Sequence, residues 1–464
     1  MKIKNILFII FSLLFLIILF YTFYRSEVFH EGTIRKFYLK YYLFAVIFLI
    51  LAIFVKNIKN LKIAKYIFFS TVFLFSFVYV IQISIIFNDI VRANNKKEFR
   101  LNYSKKNNFD YDARNKFQIL SDLKLQGVDA VVAIDPYHHL KDDNNLFPLS
   151  SFSNRLTIHC NEYGRSVSYQ SDRHGFSNPD KEWDNQTDFL IIGDRFAHGD
   201  CIPQEKTIAG NLRRLNGGDG VLNLGFGGNG PLIEFAVLRE YLDKSKAKRV
   251  LWFYCETNDL VGPGDWVKNE GLEAELKNNI LFNYIDDPNF SQNLIVKQDK
   301  INKLNQEKLN IFIENFEKQK NQNFVFDIIK LKNIRYYLSN FSELNKQQNP
   351  QKINDEFKKI ISLTDQYLDK KNVDFYFIYL TDIHRYSKSK FDRNKHDYQK
   401  VIDFINSREN INLINLHSEL FKNLEDPLSL FIEQYDKEYL HYNELGSNII
   451  SDKIFKKIKR KDNN

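Results

Sequence analysis

The sequence predicts an α/β domain built on a parallel β-sheet and preceded by three transmembrane helices. Two observations lead to this prediction. Residues 1–92 are strongly apolar, whereas the rest of the 464-residue chain has the composition of a soluble protein. Beyond residue 145, short apolar runs alternate with stretches of helical spacing, a pattern typical of parallel strands that helices cover on both faces. The length allows two or three domains.

Three apolar segments within residues 1–92 are each long enough to cross a bilayer, which takes roughly 20 helical residues. We place them at about 5–24, 38–55 and 66–87. A secretory signal peptide is the alternative for the first segment, but no small-residue cleavage site follows it and two further spans do. Gln82 and Ser84 in the third span could face a neighbouring helix. Lys and Arg flank both sides in similar numbers, so charge does not orient the protein.

The remaining chain divides into a linker and lead-in, at 93–145, and a domain at 146–464. The lead-in holds one strand candidate at 128–134. A Lys-, Asn- and Glu-rich segment at about 262–350 has helical spacing without a sustained heptad, so we interpret it as a helical insertion rather than a coiled coil. A lid, a partner surface and a packed elaboration are all open roles for it. The domain's strand candidates are 188–192, 220–224, 249–255, 374–380 and 411–416.

The composition excludes several classes of function. The net charge of +8 comes from scattered lysines without an arginine-rich block, so nucleic-acid binding is not predicted. The cysteines at 160, 201 and 255 form no CxxC, and no His/Cys cluster has zinc spacing, so neither a metal nor a cofactor is predicted. Cys201 and Cys255 are placed where they could approach each other, but free buried cysteines are expected rather than a disulfide.

Four polar or glycine-rich segments follow the predicted strands or lie in the C-terminal stretch after them. The carboxyl ends of parallel strands share one edge of a sheet, where ligand sites form. We therefore expect these segments to converge on one cleft. They are Gly193-Asp194-Arg195, the glycine run at 223–231, Glu256-Thr257-Asn258-Asp259, and the stretch at 438–446 that contains His441.

In this order, the four segments resemble the blocks of the SGNH/GDSL hydrolase superfamily, which supply Ser, Gly, Asn and His. The resemblance covers about 146–456, and the run at 172–179 is similar to the lead-in of membrane-attached bacterial members. It implies a three-layer, flavodoxin-like parallel sheet that carries ester hydrolysis or O-acyl transfer. For the multi-pass membrane protein that the three apolar segments predict, the resemblance favours a soluble domain outside the cytoplasm.

The resemblance assigns a role to each matching residue. The backbone N–H of Gly228 and the amide of Asn258 are suited to hold the oxyanion of a tetrahedral intermediate. His441 matches the general base. Glu438 stands where the family has the aspartate that orients the base, and a glutamate can do the same; Asp436 is an alternative.

Arg195 departs from the family pattern, because it follows Asp194 where the family has its nucleophilic serine. A guanidinium group stays protonated and has no lone pair with which to attack. Losing the nucleophile of such a triad costs roughly six orders of magnitude in turnover. A single-base change can convert a serine codon into an arginine codon. Arg195 is expected to pair with Glu438 or Asp194 or to face an anionic ligand, and His198 is expected to point elsewhere.

Three functions are consistent with this pattern. The first is a membrane-anchored esterase or O-acyltransferase of the cell envelope, acting on an acylated glycan or lipid and impaired at Arg195. The second is a pseudoenzyme that binds an anionic or acylated saccharide through Arg195. The third is an envelope scaffold that docks through its spans and its insertion.

Overall fold

The structure is a computed structural model that describes residues 2–32, 35–161, 163–256, 259–260, 271–320, 324–344, 353–381, 383–386, 398–433 and 439–462. It contains two compact units. The first consists of Met1–Ile90 with Asn323–Leu338, and the second of Val91–Gln322 with Ser339–Asn464.

The helices are numbered in chain order: α1 Lys2–Phe23, α2 Arg35–Asn57, α3 Leu61–Lys106, α4 Lys116–Leu125, α5 Arg195–His198, α6 Ile208–Leu215, α7 Pro231–Ser245, α8 Leu272–Glu275, α9 Asn279–Asp286, α10 Gln298–Lys320, α11 Phe324–Ile329, α12 Lys332–Leu344, α13 Asp355–Lys370, α14 Tyr398–Asn406, α15 Leu416–Glu419 and α16 Glu444–Asp462. The strands are β1 Ala130–Val132, β2 Leu156–Cys160, β3 Val167–Gln170, β4 Phe189–Gly193, β5 Val221–Asn223, β6 Arg249–Cys255, β7 Asp374–Leu380, β8 Ile411–Asn415, β9 Phe431–Glu433 and β10 Tyr439–Tyr442.

The first unit is built around apolar helices. By length and composition, α1, α2 and α3 are long and apolar enough to cross a membrane. Large apolar side chains such as Phe20, Leu43 and Phe73 are exposed along them. A bilayer would cover these side chains, since lipid tails are as apolar as the side chains themselves. The prediction of three membrane-spanning helices is confirmed.

Polar contacts hold α12 against α3 within this unit. Gln82 is fully buried. Its Nε2 donates to Oδ1 of Asn333 over 3.0 Å, and its Oε1 accepts from the N–H of Ile334 over 3.0 Å. Asp89 accepts from Nδ2 of Asn333 over 3.0 Å and from the hydroxyl of Tyr337 over 3.2 Å. The expectation of a contact with a neighbouring helix is confirmed for Gln82, and that helix belongs to the insertion. Ser84 is exposed and donates to the carbonyl of Val80 within α3.

The second unit contains a five-stranded parallel sheet in the order β5-β4-β6-β7-β8. Numbered along the chain, this is the 2-1-3-4-5 order of flavodoxin-like sheets. The predicted fold class is therefore confirmed. The strand order switches between β4 and β6, and ligands of such sheets bind outside the carboxyl ends of the strands at that point.

Alternate residues of each strand supply the cores on the two faces of the sheet. Leu190 and Ile192 of β4 join an apolar cluster that includes residues of α7 and α13. Phe189 and Ile191 point the other way, into a cluster with residues of α6 and α16. Every residue of β4 is buried. The continuous apolar runs in the sequence thus reflect burial on both faces.

A smaller sheet of β1, β2 and β3 precedes the large one, with β1 and β2 parallel and β2 and β3 antiparallel. Its apolar cluster includes Val131 of β1, Leu120 of α4 and Leu309 of α10. Residues of the lead-in and of the insertion therefore share a core. This core fixes the position of β2, which ends at Cys160.

The cysteines differ from the expectation. Cys160 and Cys201 form a disulfide, and Cys255 is free and buried. The expectation of free cysteines is wrong for this pair, and the partner of Cys201 is Cys160 rather than Cys255. The reason is that Cys255 points into the core beneath α6 and α16, whereas Cys160 and Cys201 share a separate cluster with Tyr163 and Ile432.

We predict that Gln82→Leu loosens the packing of α12 on α3. The substitution removes the partner of the N–H of Ile334 and of Oδ1 of Asn333, which costs about 1–3 kcal/mol of local stability for a buried group. Hydrogen exchange of residues 324–338 in detergent should therefore become faster. Ser84→Ala is the matched control, since Ser84 donates only within its own helix, to the carbonyl of Val80. Equal exchange in both variants would contradict the role of Gln82.

Candidate active site

The turn after β4 requires glycine and ends in a capped helix. Gly193 has φ of +150°, and a Cβ there would lie 2.8 Å from the carbonyl oxygen of Phe253. The buried Asp194 then caps α5 by accepting from the N–H of Phe196 over 2.8 Å. Arg195, half-buried, is the first residue of that helix. The sharp turn that would present a nucleophile is present, with a guanidinium side chain at its tip.

The second of the four predicted segments, or blocks, is the glycine run at 223–231, and it packs directly on this turn. Nδ2 of Asn223 donates to the carbonyl of Ala197 over 2.7 Å, and the N–H of Phe226 donates to the carbonyl of Gly193 over 3.3 Å. A Cβ at Gly225 would lie 2.7 Å from Cβ of Ala197. The first two blocks are therefore in contact, as strand ends at one edge of a sheet should be.

The glycine run continues into a turn that aromatic and acidic side chains surround. Gly228 has φ of +72°, and a Cβ there would overlap the ring of Tyr137. A Cβ at Gly227 would lie 3.6 Å from Oδ2 of Asp135 and 3.7 Å from Oδ2 of Asp200. Two carboxylates therefore lie against the segment to which an oxyanion role is assigned.

The insertion caps the helix that follows this run. Glu275 of α8 is fully buried and accepts from the N–H of Gly230 over 2.6 Å and from the N–H of Leu232 over 2.9 Å. A carboxylate at the N-terminus of α7 satisfies donors that the helix itself cannot. Burial nevertheless raises the pKa of Glu275 to about 7.

The third block is described only in part. Asn258 lies outside the described residues, so its assignment as an oxyanion donor stays a prediction. Next to it, the buried Asp259 accepts from the N–H of Cys255 over 2.7 Å. Burial and the charge of Asp194 raise the pKa of Asp259 well above its usual value.

His441 of the fourth block reaches the first block. It lies on β10, which pairs with β9, and its ring meets that of Phe196 edge-on with the centroids 5.5 Å apart. The residue is 4 % exposed. Burial lowers the pKa of His441 to about 4, and the charge of Arg195 acts in the same direction. Glu438 and Asp436 lie outside the described residues, so the acid that would orient His441 stays a prediction.

A cluster of side chains that the sequence analysis did not assign lies beside His441. Nε2 of His159 is 2.9 Å from Oδ1 of Asp200, and Nδ1 of His198 is 3.2 Å from the same oxygen. The other oxygen, Oδ2, is 4.0 Å from Nε2 of His441. The expectation that His198 points elsewhere is wrong. Its helix α5 is a single turn that ends at His198, and Gly199, with φ of +81°, leads directly into Asp200.

Burial and charge act in opposite directions on these groups. Burial favours a raised pKa for Asp200, but the charge and hydrogen bond of His159 hold it well below its usual value. Burial likewise favours a lower pKa for His159, yet Asp200 raises it. Burial and the charge of Asp200 raise the pKa of Asp135 to about 6. No sequence spacing indicated this cluster, because Asp135 in the lead-in and His159 on β2 are far from Asp200 along the chain.

The run at 172–179 contacts the glycine run at 223–231 and supports it. Asn178 donates from Nδ2 to the carbonyl of Asn223 over 2.9 Å and accepts from the N–H of Asn223 over 2.8 Å. The buried Asp172 holds this loop by accepting four hydrogen bonds, from the backbone of His174 and Phe176 and the side chains of Asn178 and Trp183.

No protein-family model and no curated protein matches the chain. Solved structures that it resembles include a protein assigned to the lipolytic G-D-S-L family from Desulfitobacterium hafniense DCB-2, at 12 % identity, with a TM-score of 0.30 and coverage of 58 % of this chain and 99 % of that one. Another is the salicylyl-acyltransferase SsfX3 from a tetracycline biosynthetic pathway, at 9 % identity, with a TM-score of 0.24 and coverage of 58 % and 53 %. The α/β architecture itself rests on the observed order of the strands.

We predict that Asp172→Asn destabilises the second unit. The amide nitrogen replaces one accepting oxygen, so that at least one buried donor loses its partner at a cost of about 1–3 kcal/mol. Thermal unfolding in detergent should show a lower midpoint. Asp180→Asn is the control, because Asp180 forms an exposed ion pair with Arg173, which is worth at most about 1 kcal/mol. Equal midpoints for the two variants would contradict the role of Asp172.

Proposed function

We propose that the chain is a membrane-anchored SGNH/GDSL-type ester hydrolase or O-acyltransferase-like protein whose serine-dependent chemistry is impaired by Arg195. The observation that carries this proposal is the contact of the His441 ring with Phe196, directly after the turn at 193–195. The glycine run meets the same turn through Asn223 and Gly225. Such convergence at the switch point of a parallel sheet is the arrangement that acyl transfer needs.

Each group would have a defined role in this chemistry. A serine at 195 would lose its proton to His441 as it attacks a carbonyl carbon, and the N–H of Gly228 with the amide of Asn258 would hold the oxyanion. Arg195 cannot start this reaction, because its guanidinium group cannot act as the nucleophile. The surrounding groups would still recognise an ester, since binding and oxyanion stabilisation do not require the nucleophile.

The anchor and the disulfide support a compartment and a class of substrate. We place the second unit outside the cytoplasm, because a disulfide such as Cys160–Cys201 persists in oxidising compartments. The three apolar helices would hold it at the membrane. An acylated glycan or lipid of the cell envelope is the class of substrate available at that position.

A pseudoenzyme that binds an anionic saccharide is the second candidate. It is favoured by Arg195, a half-buried cation at the position where an acyl group would otherwise form. Guanidinium binds carboxylates and phosphates in a bidentate manner. Calorimetry with an acidic glycan should show weaker binding by Arg195→Ala than by the wild type, and equal binding would exclude this role.

We predict that Arg195→Ser gains ester hydrolysis. With p-nitrophenyl acetate and a metal chelator present, its rate should exceed that of the wild type by at least about a hundredfold, a small part of what the nucleophile contributes to a complete triad. Arg195→Ala is the matched control and should stay at the wild-type level. Adding His441→Ala to the serine variant should remove the gain. A folded serine variant no faster than the alanine variant would contradict the proposal.

We also predict that Cys160 and Cys201 are linked in the native protein. After alkylation without reduction, mass spectrometry should find their peptides joined, and Cys255 should react only after unfolding because it is buried. Replacing both linked cysteines by serine should lower stability by about 2–4 kcal/mol, whereas Cys255→Ser leaves the linked peptides unchanged. Alkylation of Cys160 and Cys201 without reductant in membrane-isolated protein would contradict the proposed compartment.

A further inference from the structure

We propose that His159, His198 and Asp200 bind a divalent transition-metal ion, with Zn²⁺ as the best match. Imidazole nitrogens and a carboxylate oxygen are the protein ligands that zinc prefers together. Each of the three residues offers one ligand atom, and these three atoms all lie within 4.8 Å of one another. Unlike the proposed ester chemistry, this inference does not require the four sequence blocks to be a hydrolase site.

The distances suit a tetrahedral ion. Ligand atoms around Zn²⁺ with bonds of 2.0–2.1 Å are separated by about 3.3 Å. Nε2 of His159 and Nδ1 of His198 lie 2.9 Å and 3.2 Å from Oδ1 of Asp200. An ion would therefore replace the two shared protons and lengthen these two nitrogen–oxygen distances by only a few tenths of an ångström, estimated from the same bond lengths.

His441 supplies an independent indication of a ligand. Its side chain is 6 % exposed, and its Nδ1 has no hydrogen-bond partner among the residues that the structure describes. Its Nε2 faces the cluster, 4.0 Å from Oδ2 of Asp200. A buried polar group is normally hydrogen-bonded, because leaving it unmatched is costly. As a fourth ligand or as the partner of a metal-bound water, His441 would gain the contact that it lacks.

Asp135 provides a second carboxylate beside the cluster. Its Oδ1 is buried without a partner in the described part of the chain, and its Oδ2 lies against Gly227 together with Oδ2 of Asp200. Two carboxylates this close to each other repel unless a cation lies near. A divalent ion adds positive charge at the place where these carboxylates concentrate negative charge.

The covalent structure holds the ligands in position. His159 directly precedes Cys160 and Asp200 directly precedes Cys201, and these two cysteines form the disulfide with their Cα atoms 5.3 Å apart. The bridge therefore fixes two ligands from distant parts of the chain before any ion arrives. Such preorganisation lowers the entropic cost of binding.

Metal binding can be measured on the full chain in detergent. The protein is purified without a polyhistidine tag, stripped with a chelator and titrated with Co²⁺ and then Zn²⁺. We expect one Co²⁺ per chain with the intense visible absorption of a four-coordinate site, and displacement by one Zn²⁺ in calorimetry. A wild-type chain that binds neither ion would overturn the proposal and would leave the ester chemistry, assayed in chelator, unaffected.

Substitutions locate the ion. Asp200→Asn and His159→Gln should each weaken Zn²⁺ binding by at least about tenfold, since even outer contacts of a metal site contribute that much. His139→Gln is the matched control, because His139 is also buried and lies 2.9 Å from a carboxylate, that of Asp142, outside the cluster. We expect it to bind like the wild type. Equal affinity in all three variants, each with a cooperative thermal unfolding transition, would refute this location.

Discussion

The close approach of three backbone segments at the carboxyl end of β4 is the constraint on which the rest of the second unit depends. Gly193 lets this strand end against the carbonyl of Phe253 on β6, and Gly225 lets the next block lie against Ala197 on α5. A side chain at either glycine would force these segments apart. Because the strand order switches at this place, the gap between the diverging segments is where polar groups can gather.

Charges of both signs lie close together around the turn at 193–195. A cation at the N-terminus of a helix is unfavourable, and Arg195 begins α5. Carboxylates near the same turn offset that cost, since the charge of Arg195 counteracts the rise in the pKa of Asp135 that burial causes. Arg195 thus holds negative charge that is already present near this turn.

The sequence predicted the large sheet well because its strands are buried on both faces, so that their apolar runs stand out without any knowledge of tertiary contacts. The predicted strand at 249–255 coincides with β6, and that at 188–192 lies within one residue of β4.

The cluster around Asp200 was not predictable in this way. His159 is on β2, in another sheet, and only the disulfide and the packing of that sheet bring it to Asp200. A contact between residues so far apart along the chain leaves no periodic pattern in the sequence. The sequence also predicted the proximity of His441 to the turn at 193–195, but through a family resemblance rather than through spacing.

The insertion contributes to three separate environments, and this limits how its role can be tested. Glu275 caps α7 next to the glycine run, Asn305 of α10 bonds to the buried His139, and Asn333 of α12 bonds to Gln82. These are polar contacts to buried groups, so removing the whole segment would leave donors and acceptors unmatched at each place. Deletion of 262–350 would therefore weaken the fold itself, and a lost partner would not identify a docking surface. Exchanging exposed side chains of α10, such as Ile311, would separate the two effects, because such a change alters a surface without uncovering a buried polar group.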